Sequence, residues 1–222
     1  MIQLKKVSKI FTSNTTDFFQ ALHEIDLLIE DGEFLVLKGI SGSGKSTLLS
    51  IIAGMMKPTS GFVMVDGENI ASLSDYHISS YRNSKVGFIT QSFHLLDELS
   101  VEDNITVPLI ITDLSNKQVN QQLLRVMKLC NISHKAKQKV STLSGGEKQR
   151  TIIARALINE PKIIICDEPT ANLDYHNSIN FIEIVTQLKE LNKTIIIATH
   201  DPIFDKLEVV DKVVHISDGS LE

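Results

Sequence analysis

The sequence predicts an α/β fold, an open sheet of buried parallel strands with helices filling the connections. Three observations predict it. Short apolar runs rich in β-branched residues recur along the chain, as buried parallel strands do. Four of these runs end beside a chemically distinctive segment, and ligands of open α/β sheets bind beyond the carboxyl ends of strands. One such segment, Gly39-Ile40-Ser41-Gly42-Ser43-Gly44-Lys45-Ser46-Thr47, has the spacing of a phosphate-binding loop: Gly, four residues, then Gly-Lys-Ser.

Roughly the first 30 residues, and Phe62 to Val65, read as shorter and more exposed strands. Phe34-Leu35-Val36-Leu37 is a buried strand leading into Gly39. Ser46 to Ala53 reads as a helix, stopped by Gly54. Val86-Gly87-Phe88-Ile89 leads into Gln91. From about Phe93 to Thr142 the strand-and-motif rhythm disappears, and a helical insertion is expected. Within it Val119, Leu123, Val126, Met127 and Cys130 follow helical spacing, and Ser115 with Gln118 resembles a capping box. Ile152, Ile153, Ala156 and Leu157 are periodic too, so a helix is expected to start near Glu147, after Gly145-Gly146. Ile163-Ile164-Ile165-Cys166 leads into Asp167-Glu168. Ile179, Ile182, Val185 and Leu188 mark another helix. Thr194 to Ala198 leads into His200. No repeat, low-complexity tract or Pro/Gly-rich linker divides the chain, and residues 1–222 read as one domain.

The length allows a sizeable core, and 42 % apolar with 22 % charged residues is ordinary for a soluble globular protein. The formal charge is −5, with no block of Lys or Arg, which argues against nucleic acid as the main partner. A phosphate site tolerates that charge, because phosphate loops work through backbone N–H groups. Cys130 and Cys166 are far apart and in no Cys-x-x-Cys pattern, so they read as reduced core thiols. Met1-Ile2-Gln3-Leu4-Lys5-Lys6 lacks the apolar core of a signal peptide. No stretch approaches the ~20 apolar residues of a membrane span. A cytoplasmic chain that reaches a membrane only through a partner is expected.

In the phosphate loop, glycines let the backbone wrap tightly around phosphate oxygens. Lys45 reaches the β- and γ-phosphates, the Ser46 hydroxyl suits Mg²⁺, and Thr47 suits the α-phosphate. A strand ending in acid is how such proteins hold Mg²⁺, which assigns Asp167 to the metal and leaves Glu168 as the base that polarises a water. A solvated acidic turn is the other reading of this pair, and it loses weight beside the loop.

With these motifs in place the chain resembles an ATP-binding cassette (ABC) transporter ATPase over nearly its whole length. Gln91 resembles the glutamine of that family's Q-loop, which senses Mg²⁺ and water and faces the membrane partner. Leu143-Ser144-Gly145-Gly146-Glu147, followed by Gln149-Arg150, resembles the family signature. Ala171-Asn172-Leu173-Asp174 resembles the D-loop, and His200 the switch histidine. The resemblance implies a P-loop NTPase (RecA-like) core carrying an antiparallel β subdomain and a helical ABC-specific subdomain, at about residues 93–142. It implies ATP and Mg²⁺ as ligands, and catalysis by Glu168, His200, Lys45 and Gln91. It also implies an ATP-dependent homodimer, in which Ser144 and the signature glycines touch the γ-phosphate held by the other copy. The family usually stacks adenine on a Tyr near the N-terminus. Phe11 stands at the matching position, with Phe18 and Phe19 as rivals and a core role for Phe11 as the plain alternative.

The stretches Gln91-Ser92-Phe93-His94-Leu95-Leu96, Val101-Glu102-Asp103-Asn104-Ile105, Pro108-Leu109 and Ala171 to Asp174 are similar to the small ATPases of lipoprotein-release, macrolide-export and cell-division systems (LolD, MacB and FtsE types). An integral membrane permease docking near Gln91 to Leu96 follows from that likeness, and with it a place on the inner face of the cell membrane. Phe93, Leu95 and Leu96 then read either as an exposed docking patch or as ordinary core. The rival class is a soluble ABC protein acting on nucleic acid or ribosomes. A single phosphate loop, the short stretch between Gln91 and Ser144, and no Cys/His cluster favour the transporter reading.

Overall fold

The computed structural model describes residues 1–12 and 18–222. Two strands, β1 (Ile2–Thr12) and β2 (Phe18–Ile29), precede the first buried strand, β3 (Phe34–Lys38). The phosphate loop follows, then α1 (Lys45–Ile52), β4 (Ser60–Val65), β5 (Glu68–Asn69), α2 (Asp75–Lys85) and β6 (Val86–Ile89). A region without named strands carries α3 (Val101–Thr106) and α4 (Asn116–Leu129). The chain closes with α5 (Gly145–Leu157), β7 (Ile163–Asp167), α6 (Tyr175–Glu190), β8 (Thr194–Ala198), β9 (Lys212–Ser217) and β10 (Ser220–Leu221).

The main sheet has the order β10-β9-β3-β8-β7-β6, with β9, β3, β8, β7 and β6 all parallel. Its central strands are apolar except at an end, Lys38 in β3, Asp167 in β7 and Thr194 in β8, because both faces are covered. Side chains alternate between the faces. Phe34, Val36, Ile164, Cys166, Ile195 and Ile197 join one core with Phe181, Val185 and Ile153. Leu35, Leu37, Ile163, Ile165, Ile196 and Ala198 join the other with Leu48, Ile51, Ile2 and Leu4. Both cysteines are free and buried, as expected of core thiols.

The smaller sheet has the order β2-β1-β4-β5 and is antiparallel. Here the expectation of short, exposed strands fails for β1 and β2. β1 and β2 are 11 and 12 residues long, and Ile2, Leu4, Val7, Leu22, Ile25, Leu27 and Ile29 are buried. Bulges hide this in the sequence: the register shifts between Leu4 and Val7 and between Val7 and Lys9, and Lys6 and Glu24 have positive φ. Each extra residue breaks the two-residue alternation that marks a half-buried strand.

The insertion between β6 and α5 is helical, as expected. α4 starts at a full capping box in which Ser115 and Gln118 bond each other's backbone N–H. α1 runs one residue earlier than expected at each end, Lys45–Ile52 rather than Ser46–Ala53. Helix α5 begins at Gly145, not near Glu147, because Ser144 and Glu147 form a second capping box and draw both glycines into the first turn. Helix α2 had no sequence expectation: it buries only Ile78 and Tyr81 and shows no apolar stripe.

Candidate functional site

The parallel strands place four motifs along one edge of the sheet. The phosphate loop leaves β3, His200 follows β8, Glu168 follows β7 and Gln91 follows β6, in the spatial order β3-β8-β7-β6. With strands about 4.8 Å apart, the row spans about 14 Å. An open cleft of about 360 Å³ lies there, lined by Ser41, Gly42, Gly44, Lys45, Ser46, Thr47, Gln91, Glu168 and His200, together with Phe19 and Ala21. A larger hollow of about 810 Å³ lies on the small sheet, among Lys5, Asp26, Leu28 and Phe62, and holds none of these groups. Chemistry rather than volume selects the cleft.

Gly44 is the N-cap of α1, with φ 107°, and a Cβ there would lie 2.7 Å from the carbonyl oxygen of Ala21. Only glycine suits that conformation and that spacing. No side chain caps α1 and no acid stands in its first turn, so its leading N–H groups point at the cleft as an anion site. The ammonium of Lys45, 5 % exposed, donates to the carbonyl oxygens of Gly39 (2.8 Å) and Ile40 (2.9 Å) and stands 3.7 Å from Glu168 Oε1. Gly39 and Ser43 shape the loop from behind without lining the cleft.

Strand β7 delivers the two acids. Burial raises the Asp167 carboxyl above the usual carboxylate range, and the charge of Glu168 adds to this, while the Ser46 hydroxyl and Lys45 act the other way. Asp167 Oδ1 is buried without a hydrogen-bond partner. An orphaned carboxylate oxygen beside a serine hydroxyl fits a divalent cation. No group of three His, Cys, Asp or Glu converges among the described residues, so such a cation would take its other ligands from bound phosphates, as Mg²⁺ commonly does. Glu168 has φ 47° and donates its N–H to the Ala198 carbonyl (2.8 Å). Its Oε1 lies 3.0 Å from His200 Nδ1. The Glu168 side chain is 14 % exposed and that of His200 71 %, so the pair stands between the sheet edge and solvent.

Phe19 lines the cleft; Phe11 is its direct cross-strand partner, so both rings leave the same face of the ribbon. Phe11 itself is not a lining residue, and the ammonium of Lys9 sits 5.2 Å over its ring. Phe11, Phe18 and Phe19 are all exposed, which removes the core reading of Phe11.

The signature lies apart. Ser144, Gly145, Gly146, Glu147 and Asp174 do not line the cleft of their own chain. Glu147 accepts from the Ser144 N–H (2.9 Å) and pairs with Lys135 (3.1 Å); both hold its carboxyl below the usual range. Asp174 caps α6 through the Asn177 N–H (2.8 Å) and accepts from the Asn177 amide (2.9 Å), which in turn accepts from Arg150 (3.1 Å). Asn177 thus ties the D-loop to the signature helix, and sequence reasoning had not marked it.

The cluster after Gln91 divides. Phe93 and Leu95 pack partly against the core, whereas Leu96 is exposed. Nearby, a groove of about 470 Å³ is walled by Met55, Phe88, Val107, Pro108 and Ile111, with Arg82 and Arg155 among its lining residues. Ile110 and Ile111 are 78 % and 76 % exposed. No described helix is long and apolar enough to cross a membrane.

A family model described as ABC transporter matches residues 22–171. YknY of Bacillus subtilis, named an ABC transporter ATP-binding protein, is 37 % identical over 221 residues, covering 100 % of this chain and 95 % of its own. The lipoprotein-releasing system ATP-binding protein LolD of Bacteroides thetaiotaomicron is 36 % identical over 223 residues, covering 100 % and 99 %. The solved dimer of the ATP-binding cassette MJ0796, in a post-hydrolysis state bound to ADP and Pi, matches with a TM-score of 0.91 at 34 % identity, over 100 % of this chain and 97 % of that one. These likenesses bear out the expected fold and favour the transporter reading over the nucleic-acid one. The chain belongs to the ABC transporter family, as one of its ATP-binding, ATP-hydrolysing subunits.

Proposed function

We propose that the subunit hydrolyses ATP at two sites shared between two copies of the chain, and that this cycle drives or gates a membrane permease. One observation carries the reading: the phosphate loop, Glu168 and His200 meet in one cleft, with Asp167 beside Ser46, while the capped, glycine-opened start of α5 stands outside it. A second copy, turned head to tail, brings Ser144 and Gly145 to the phosphates held by the first. MJ0796 forms a dimer with ADP and Pi bound, which supports the same arrangement here.

In each site Lys45 and the N–H groups of α1 bind the phosphates, and Phe11 with Phe19 offers the base a stacking face. Ser46, Asp167 and Gln91 would hold Mg²⁺, which would supply neutralisation of phosphate charge. A water attacks the γ-phosphorus in line and the bond to the β-phosphate oxygen breaks, giving ADP and phosphate. Glu168 accepts the proton that the water loses, and His200, 3.0 Å from that carboxylate, keeps it aimed at the γ-phosphate. Lys45 and the partner's signature meet the charge that develops on the transferred group.

Residues 1–222 act as one ABC ATPase domain, with the helical subdomain of about 93–142 inserted. The permease docks beside Gln91 to Leu96, in the groove whose apolar walls and two arginines suit an apolar segment carrying an acid. This docking holds the subunit on the inner face of the cell membrane. Glu168→Gln tests the shared site. Its amide keeps the shape but cannot take a proton, so an ATP-bound dimer accumulates on sizing, ADP leaves monomer, and adding Ser144→Arg abolishes the dimer. A Glu168→Gln protein that binds ATP and stays monomeric at every concentration would refute the arrangement.

A further inference from the structure

We propose that Arg155 and Asn172 are positioning residues: they hold the segment Gln91–His94 by its carbonyl groups and so fix where Gln91 stands in the cleft. This rests on the reading that Gln91 serves the nucleotide site. The segment leaves β6 at Ile89 and enters no helix until Val101. Local contacts among Thr90, Ser92 and His94 shape it but do not tie it to the sheet. Its long-range anchors come from two other motifs. The Asn172 amide, in the turn after β7, donates to the Gln91 carbonyl (3.2 Å). Arg155, in the last turn of the signature helix, donates through Nη1 to the His94 carbonyl (2.9 Å) and through Nη2 to the Phe93 carbonyl (3.2 Å).

The chemistry of Arg155 is specific to this task. It is half-buried on a helix, between Ala154 and Ala156, and the guanidinium hydrogen bonds it makes among the described residues go to carbonyls. Its charge is shared between two carbonyls one residue apart. A planar guanidinium meets that pair with two nitrogens, one bond each, whereas a lysine ammonium would have to meet it from a single atom on a shorter side chain. His94, which it holds, has φ 43°, a conformation that a non-glycine residue keeps only when its surroundings fix it. Arg155 also lines the groove with Ile111 and Phe88. Whatever fills the groove therefore touches the guanidinium that holds the segment bearing Gln91. One side chain joins groove and cleft.

The test uses Arg155→Lys and Asn172→Asp, which keep charge and shape respectively but lose the paired donor or the amide donor, and the double variant. Hydrogen exchange over residues 90–96 is read in the nucleotide-free protein, with kcat and KM for ATP measured separately. Each single variant should speed exchange there by about tenfold, the scale of one lost hydrogen bond. Each should lower kcat by about tenfold while KM moves less than about twofold, because positioning and not ATP binding is lost. The double variant should fall little further, since releasing either anchor frees the same segment. Asn172→Gln, which retains a donor, should recover most of the turnover. Unchanged exchange, multiplied losses in the double variant, or freed exchange with normal kcat would each overturn the proposal. Gln91→Ala separates the two levels. Normal kcat in that variant sinks the role of Gln91 and the proposal with it, whereas a low kcat beside unchanged exchange in Arg155→Lys sinks the anchoring alone.

Discussion

Asp167 carries an electrostatic cost in the nucleotide-free chain. Burial raises its carboxyl above the usual range, and one oxygen has no partner. A carboxyl whose folded pKa lies above its unfolded value binds its proton more tightly when folded. Its contribution to stability is complete below the unfolded value, about 3.9, and is lost as pH climbs through the folded value. At neutral pH the ionised group therefore destabilises the free protein. Asp167→Asn should raise the Tm of the nucleotide-free chain at pH 7 by a few degrees, with the gain shrinking toward pH 4, while Mg²⁺-dependent hydrolysis falls by orders of magnitude. A Tm that drops at pH 7 would contradict the assigned cause. Lys45→Ala removes a charge-assisted phosphate contact and should abolish tight ATP binding or turnover, as equilibrium binding with and without Mg²⁺ will report. The acid at a strand end was legible in the sequence. Its orphaned oxygen was not, because that depends on neighbours from α1 brought beside β7.

At the scale of elements, α5 separates two glycines that look alike in the sequence. Gly145 faces open space, whereas a Cβ on Gly146 would lie 2.2 Å from Asn177 Oδ1. Asn177 cannot step aside freely, since it also bonds Arg150 and Asp174. Gly146→Ala should therefore cost about 1–3 kcal/mol, the usual toll of overpacking. For a chain of this size each 1 kcal/mol lowers Tm by about 2–4 °C. Gly145→Ala should keep or slightly raise Tm, because alanine is the better helix former. In the proposed head-to-tail dimer its new methyl would stand on the face toward the other copy, so ATP-driven dimerisation of a Glu168→Gln background should weaken. Equal Tm losses in both variants would remove the distinction. Elements were legible where pattern and cap agreed, as in α4 with Ser115 and Gln118. They were hidden where few residues are buried, as in α2, or where bulges break alternation, as in β1 and β2.

Over the whole molecule, a single sheet order decides which chemistry meets. Segments far apart in the chain, after Lys38, Ile89, Asp167 and Ala198, converge because β3, β8, β7 and β6 are parallel neighbours. The groove lies between that core and the helical insertion, with Phe88 from the first and Val107, Pro108 and Ile111 from the second. Ile111→Glu should break co-purification with the membrane permease while ATP affinity and Tm hold, since the side chain is exposed. Leu95→Glu should lower Tm, because Leu95 packs against the core. An Ile111→Glu protein that still holds its permease at wild-type strength would move the docking face elsewhere.

The sequence by itself determined the α/β class, the phosphate loop, the strand-end acids and the order of the motifs. Each of these rests on chemistry local in the chain: glycines that allow a tight turn, a lysine and serine beside them, apolar runs that must be buried on both faces. Only the tertiary structure decided that Phe19 rather than Phe11 lines the cleft, that Gly146 meets Asn177, and that Arg155 and Asn172 grip the carbonyls after Gln91. Those contacts join residues tens of positions apart. They are set by how strands pair and helices pack, and no spacing along the chain encodes that directly.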